Sequence, residues 1–149
     1  MKPQLLMLCL SFIVCVTMKA QDCKYTVLET CMRGNDDVTL TLNVDVKDKK
    51  DLEKEASFAA LKVLIFDGVP NTKYGRPFMK QGYKTTYAQH PSYFQTLYNS
   101  VMSDFVEEVE TLSKFKKSDN KTTKVKVTVK PLLLRRNLES NGILKGMGI

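Results

Sequence analysis

Residues 38–70 read VTLTLNVDVKDKKDLEKEASFAALKVLIFDGVP, and their two periodicities decide the fold. Val38, Leu40, Leu42, Val44 and Val46 alternate with Thr39, Thr41, Asn43, Asp45 and Lys47. A period of two predicts a strand with one face in a core. Asp48 is placed to cap a helix beginning just after it. Leu52, Ala56, Ala59, Ala60, Val63 and Phe66 recur at helical spacing, with Glu53, Lys54, Glu55 and Lys62 expected on the opposite, solvated side. The small residues Ala56, Ala59 and Ala60 allow this helix to approach a sheet closely, and Gly68 and Pro70 end it.

Downstream, Phe94, Leu97, Tyr98, Val101 and Phe105 predict a second helix from about Pro91. FVEEVETLSKFKK (105–117) reads as a strand, SDNK (118–121) as a turn, and TTKVKVTVKP (122–131) as the partner strand of a hairpin. The lysines alternating with Val125, Val127 and Val129 mark a solvent face, opposite glutamates that can pair across. Leu133, Leu134 and Leu138, with Pro131 before them and Gly142 after, predict a short final helix. Three leucines are too few to insert into a membrane, so this helix is expected to dock on the sheet. The expectation is an α+β two-layer sandwich, a small, mainly antiparallel sheet with helices packed on one face.

Ile65-Phe66-Asp67-Gly68 resembles the nucleophile end of a haloacid-dehalogenase strand, where an aspartate attacks phosphorus. That chemistry needs a buried strand end and a second carboxylate two residues on. Here the second position is Val69, and Asp67 falls at a helix C-terminus, where the dipole disfavours developing negative charge. Asp67 is expected to be a polar residue at a helix stop.

Residues 70–91 are expected to form a long connection. Lys73, Arg76, Lys80 and Lys84 are interleaved there with Tyr74, Phe78, Tyr83 and Tyr87, and the stretch has no carboxylate. Such a loop can hold an anionic glycan, a lipid headgroup or a partner's acidic loop. The competing assignment has the aromatics pinning the loop to the core while the lysine stems cover apolar surface. His90 is the only histidine, and no motif sets a nucleophile or carboxylate beside it. Asp104, Glu107, Glu108 and Glu110 read as a solvated face.

The chain of 149 residues starts with Lys2, an apolar run from Leu5 to Val16, and the small residue Ala20. This is the pattern of a secretory signal peptide, residues 1–20, leaving a single domain over 21–149. The run is short of the roughly 20 residues of a membrane span. Met18 departs from the usual small residue before the cleavage point, so retention as an anchor is the alternative. Neither Cys15 nor Cys23 follows the small residue that lipid attachment needs. Export would leave Cys23 and Cys31 in an oxidising compartment, where a disulfide becomes available if the segment folds back. On one straight strand the two would lie about 26 Å apart and stay separate thiols. One histidine and no Cys-x-x-Cys element provide no zinc ligand set, and no cofactor motif is present.

Removing residues 1–20 takes Lys2 and Lys19 away and lowers the formal charge from +7 to about +5. A mildly basic surface suits an anionic surface or an acidic protein partner. Nucleic acid is not expected, because the charge is not concentrated on one face. Asn120-Lys121-Thr122 matches a glycosylation acceptor, which carries little weight if the host is a bacterium.

Four features together carry a resemblance: the strand at 38, the Ala-rich helix ending Phe66-x-Gly68-x-Pro70, Tyr93-Phe94, and Leu138-Glu139-Ser140-Asn141-Gly142-Ile143. In these the chain resembles uncharacterised exported proteins of Bacteroidetes-type bacteria. More distantly, it is similar to the amino-terminal domain of flagellar assembly protein T and related envelope lipoproteins. The resemblance implies a non-catalytic accessory protein of the periplasm or outer membrane that binds or assembles with a partner. The rival class is a small envelope hydrolase or sugar-modifying enzyme. It would gather His90, Asp67 and a carboxylate from 104–110 in one cleft.

Overall fold

The computed structural model describes residues 23–115 and 122–146. The signal segment, the turn at 118–121 and the Asn120 acceptor lie outside the described residues. Four strands form one antiparallel sheet: β1 (Tyr25–Arg33), β2 (Asp37–Val44), β3 (Val106–Thr111) and β4 (Thr123–Val129). Their spatial order is β1-β2-β4-β3, so β2 and β4 are central and β1 and β3 form the edges.

The period-two pattern of 38–46 is realised as β2. Register pairs Val38 with Val129, Leu40 with Val127 and Leu42 with Val125, so the apolar sides of the two central strands coincide. All six side chains are fully buried. A one-residue slip would turn every one of them to the other face, which is why this register is strongly specified.

The strand β1 has no counterpart among the periodic segments of the sequence. YTVLETCMR lacks strict alternation because a bulge between Val27 and Glu29 leaves Leu28 out of register and exposed. Gly34, at φ +65°, turns the chain back into β2. The Cys23–Cys31 bridge is not formed. Cys31 lies in β1 and Cys23 just before it, one extended segment, and they are separate free thiols.

The helical layer covers the valine face. A 3-10 turn (Lys49–Asp51) leads into α1 (Leu52–Lys62), which ends in a π turn (Val63–Asp67). Asp48 caps with its backbone carbonyl only, accepting from the Asp51 N–H at 3.1 Å. Next come α2 (Tyr83–Gln89) and α3 (Pro91–Thr96). The latter continues through a π turn (Leu97–Val101) and a 3-10 turn (Met102–Asp104) into β3. The final helix, α4 (Pro131–Ser140), buries Leu134 and Leu138, one turn apart, and leaves Leu132 and Leu133 exposed. The 70–91 connection is therefore not one loop, since α2 occupies its second half. Likewise β3 stops at Thr111, well short of Lys117.

The solvated polar side expected of α1 holds at Glu53, which is exposed, and in part at half-buried Lys54, but not at Glu55 and Lys62. Glu55 and Lys62, two turns apart on one stripe with Phe58, are only 6% and 5% exposed. Tyr25 of β1 and Tyr83 of α2 lie against Lys62, and Tyr98 of the π turn after α3 meets Glu55.

Candidate functional site

Ring stacking explains how 70–91 is held. The Tyr83 ring lies within 6.1 Å of Phe58, Phe66, Tyr87 and Phe94, mostly edge to face. Such pairs add about 0.5–1.5 kcal/mol each beyond burial. Tyr74 is buried, donates its hydroxyl to the Asp36 carbonyl at 3.1 Å, and meets the half-buried Phe78 edge-on at 6.4 Å. The Phe78 and Met79 N–H groups donate to the Leu64 and Ile65 carbonyls at 3.3 and 2.8 Å, satisfying acceptors at the end of the α1 helix. Lys73 donates to the Asn35 carbonyl and pairs with Asp36, both at 2.5 Å. Four of the expected contact residues, Tyr74, Phe78, Tyr83 and Tyr87, therefore fix the segment to the core. Lys73 ties it to the β1–β2 turn.

Among the described residues three clefts border this segment, and two of them take in its lysine and arginine side chains. The smaller, about 190 Å³, is lined by Lys73, Tyr74, Arg76, Phe78 and Arg135 among others, and no carboxylate lines it. Arg135 stacks its guanidinium 5.8 Å above the Phe78 ring and donates to Glu139 at 3.1 Å. Arg76 is exposed and makes no ion pair with a described residue. Lys80 and Lys84 are also exposed.

The larger cleft, about 600 Å³, opens between the start of β1, the end of α1 and the start of α2. Its lining includes Cys23, Tyr25, Lys62, Phe66, Asp67 and Tyr83. The Tyr25 hydroxyl donates to the Asp67 carboxylate at 3.1 Å. The Lys62 ammonium lies 4.7 Å from the Tyr83 ring centre and 5.4 Å from those of Tyr25 and Phe58. A cation removed from water is stabilised by such ring faces. Glu55 accepts from the Tyr98 hydroxyl through one oxygen, while its other oxygen is buried without a hydrogen-bond partner among the described residues. Burial first, and the Glu55 charge second, push the Cys23 thiol up to about 12, against the opposing pull of Lys62. A thiol held in its neutral form is a poor nucleophile.

His90 lines a third cleft, with Tyr93, Asn137 and Asn141 between α3 and α4. The hydrolase grouping thus separates. Asp67 and His90 line different clefts, and neither lining includes a carboxylate from 104–110. Sequence reasoning missed Lys62 and Glu55, because a polar residue on a helix says nothing of what a later segment will lay over it. Among the described residues no group of acidic, histidine or cysteine side chains is placed to hold a metal, and no helix is long and apolar enough to cross a membrane.

The fold and clefts define an α+β domain with a four-stranded antiparallel open sheet and helices against it. No family model, curated protein or solved structure matches the chain.

Proposed function

We propose that the protein is an exported, non-catalytic binding module of the bacterial cell envelope. It contacts an acidic side chain of a protein partner through the basic cleft at the head of the 70–91 segment. One observation carries this: Arg76 stands exposed beside Lys73 and Arg135 around a cleft with no carboxylate, on a segment whose aromatic residues are anchored beneath it. Anchoring matters because a cation presented on a rigid backbone loses little freedom on binding. Arginine's planar fork matches a carboxylate. The small volume suits a single anionic group of a folded partner better than an extended glycan chain or a lipid layer.

The test is crosslinked capture from the cell envelope with the wild type and with the double variant Arg76→Ser, Lys80→Ser. Both side chains are exposed, so the variant keeps its fold. A protein retained by the wild type, released by added salt and lost by the variant supports the proposal. Capture that the variant does not alter, or retention of vesicles or anionic glycan in place of protein, overturns it.

A further inference from the structure

Past its bulge at Leu28, the edge strand β1 runs in regular register with β2, Glu29 opposite Thr41, Cys31 opposite Thr39 and Arg33 opposite Asp37. Among the described residues, the main chain of 26–33 bonds only to β2, which leaves its outer row of N–H and C=O groups open to another strand. Thr30 and Met32 turn toward the helices, where the Thr30 hydroxyl donates to the Pro70 carbonyl at 2.6 Å. Lys73 holds the turn that follows the strand. A strand pinned in this way loses little freedom on pairing. Glu29, Cys31 and Arg33 alternate onto the open face of the sheet, and all three are exposed.

This stretch is self-complementary about its centre. An antiparallel second copy, related by a two-fold axis at Cys31, sets Glu29 against Arg33 of that copy and Arg33 against its Glu29. Glu29 makes no ion pair with a described residue. Arg33 holds Glu108 through one Nη only, and that contact is half exposed and weak, so exchanging it for Glu29 costs little. The same symmetry brings Leu28, 42% exposed, to Gly34 of the other copy, where an added Cβ would meet nothing within 4 Å. The opposite edge, β3, is unsuited to a second copy. Pairing about Val109 sets Glu108 against Glu110, and pairing about Glu108 sets that residue against itself.

We propose that a second copy of this chain adds to β1, antiparallel and centred on Cys31, joining two four-stranded sheets into one of eight strands. With five residues from each copy, the dimer is weak and reversible. The two Cys31 Cα atoms then lie about 4.5–5.5 Å apart, within reach of a disulfide. The surface is distinct from the cleft around Arg76.

Sedimentation equilibrium of the reduced, purified protein measures the association, and oxidised glutathione traps it. Two Cys31 thiols give two electrons and two protons to one glutathione disulfide, which leaves as two glutathione thiols. Peptide mass analysis should find Cys31 joined to Cys31, and Cys23→Ser should keep that link. Glu29→Arg or Arg33→Glu alone sets like charges together twice, so association and trapping should each weaken about tenfold. Mixing the two variants, or combining both changes in one chain, restores opposite charges at both positions and should restore the dimer. Both side chains are exposed, so the variants keep the fold. Arg76→Ser, Lys80→Ser should dimerise like the wild type. A protein that stays monomeric at all concentrations, growth beyond the dimer, trapping that the single reversals do not slow, or a mixture that does not recover would overturn the assignment.

Discussion

Arg33 on one edge strand reaches Glu108 on the other and donates to its carboxylate at 2.8 Å, spanning the two central strands on the open face of the sheet. Beneath it, Thr39 and Thr128 share a buried hydrogen bond of 3.1 Å, and Arg33 also approaches the Thr128 hydroxyl at 3.4 Å. Both partners of the ion pair are half exposed, so its value is small and salt-sensitive. The threonine pair is different, because its hydroxyls are out of water.

Thr128→Val removes the hydroxyl that Thr39 bonds, leaves the Thr39 oxygen buried, and is expected to lose about 1–3 kcal/mol of stability. Thr39→Val should lose less, since Arg33 still reaches Thr128. The double variant should be closer to neutral than the sum of the singles, and a urea-unfolding cycle measures the coupling. Additive losses would show that the hydroxyls act independently.

The two cysteines should differ in reactivity. At pH 8, iodoacetamide should alkylate exposed Cys31 quickly and leave Cys23 unmodified until the protein unfolds, as peptide mass analysis would report. Cys23 also sets a pH dependence. Its folded value, about 12, lies above the ordinary 9.0, so the fold favours the neutral thiol. That stabilisation is complete below about pH 9 and is lost as pH rises toward 12. Tyr98, raised by burial first and then by its bond to Glu55, acts in the same direction at still higher pH. Cys23→Ser should flatten the decline in melting temperature between pH 9 and 11 relative to wild type, and parallel curves would contradict it.

Phe94 is almost wholly buried at the centre of the ring cluster, touching Phe66, Tyr83, Tyr87 and Tyr93. Phe94→Ala is expected to destabilise by about 3–5 kcal/mol, because the rings around it cannot collapse into the cavity. Leu133→Ala, at an exposed position on α4, should stay within about 0.5 kcal/mol of wild type. Chemical denaturation of the pair checks both values. A large loss at Leu133 would mean that it is covered in solution.

Gly68 sits at φ +80°, where an added Cβ would come 2.4 Å from the Gly75 carbonyl oxygen. Gly68→Ala combines backbone strain with a clash against main chain, an expected loss of about 1–3 kcal/mol. The displaced neighbours lie between Tyr74 and Phe78, so faster proteolysis within 70–82 should accompany it. Unchanged proteolysis alongside unchanged stability would show that the segment is held without this close approach.

The central layer was legible from sequence wherever one residue type repeated with one period. Val38 to Val44 and Val125 to Val129 alternate because a strand has two faces, and each element states its own buried side. The Ala56-Ala59-Ala60 stripe likewise announced a helix lying close on a sheet. The α+β class arises from these local patterns together. β1 was not legible, because its bulge at Leu28 breaks the period and its edge position leaves few side chains buried.

Only the tertiary structure decided what covers Glu55 and Lys62. Helical periodicity assigned them to water, and within α1 alone that is correct. Lys62 lies against Tyr25 and Tyr83, far from it in opposite directions along the chain, and Glu55 is met by Tyr98, more than forty residues on. The same holds for the 70–91 segment, whose composition suggested a single contact loop. Packing divided it into anchors and exposed cations, because Lys73 found Asp36 and Tyr83 found Phe58 and Phe66. Sequence determined β2, β4 and α1, since hydrophobic periodicity is a local property, but neither β1 nor α2. The clefts and their charges were decided by contacts between distant segments, which no local pattern encodes.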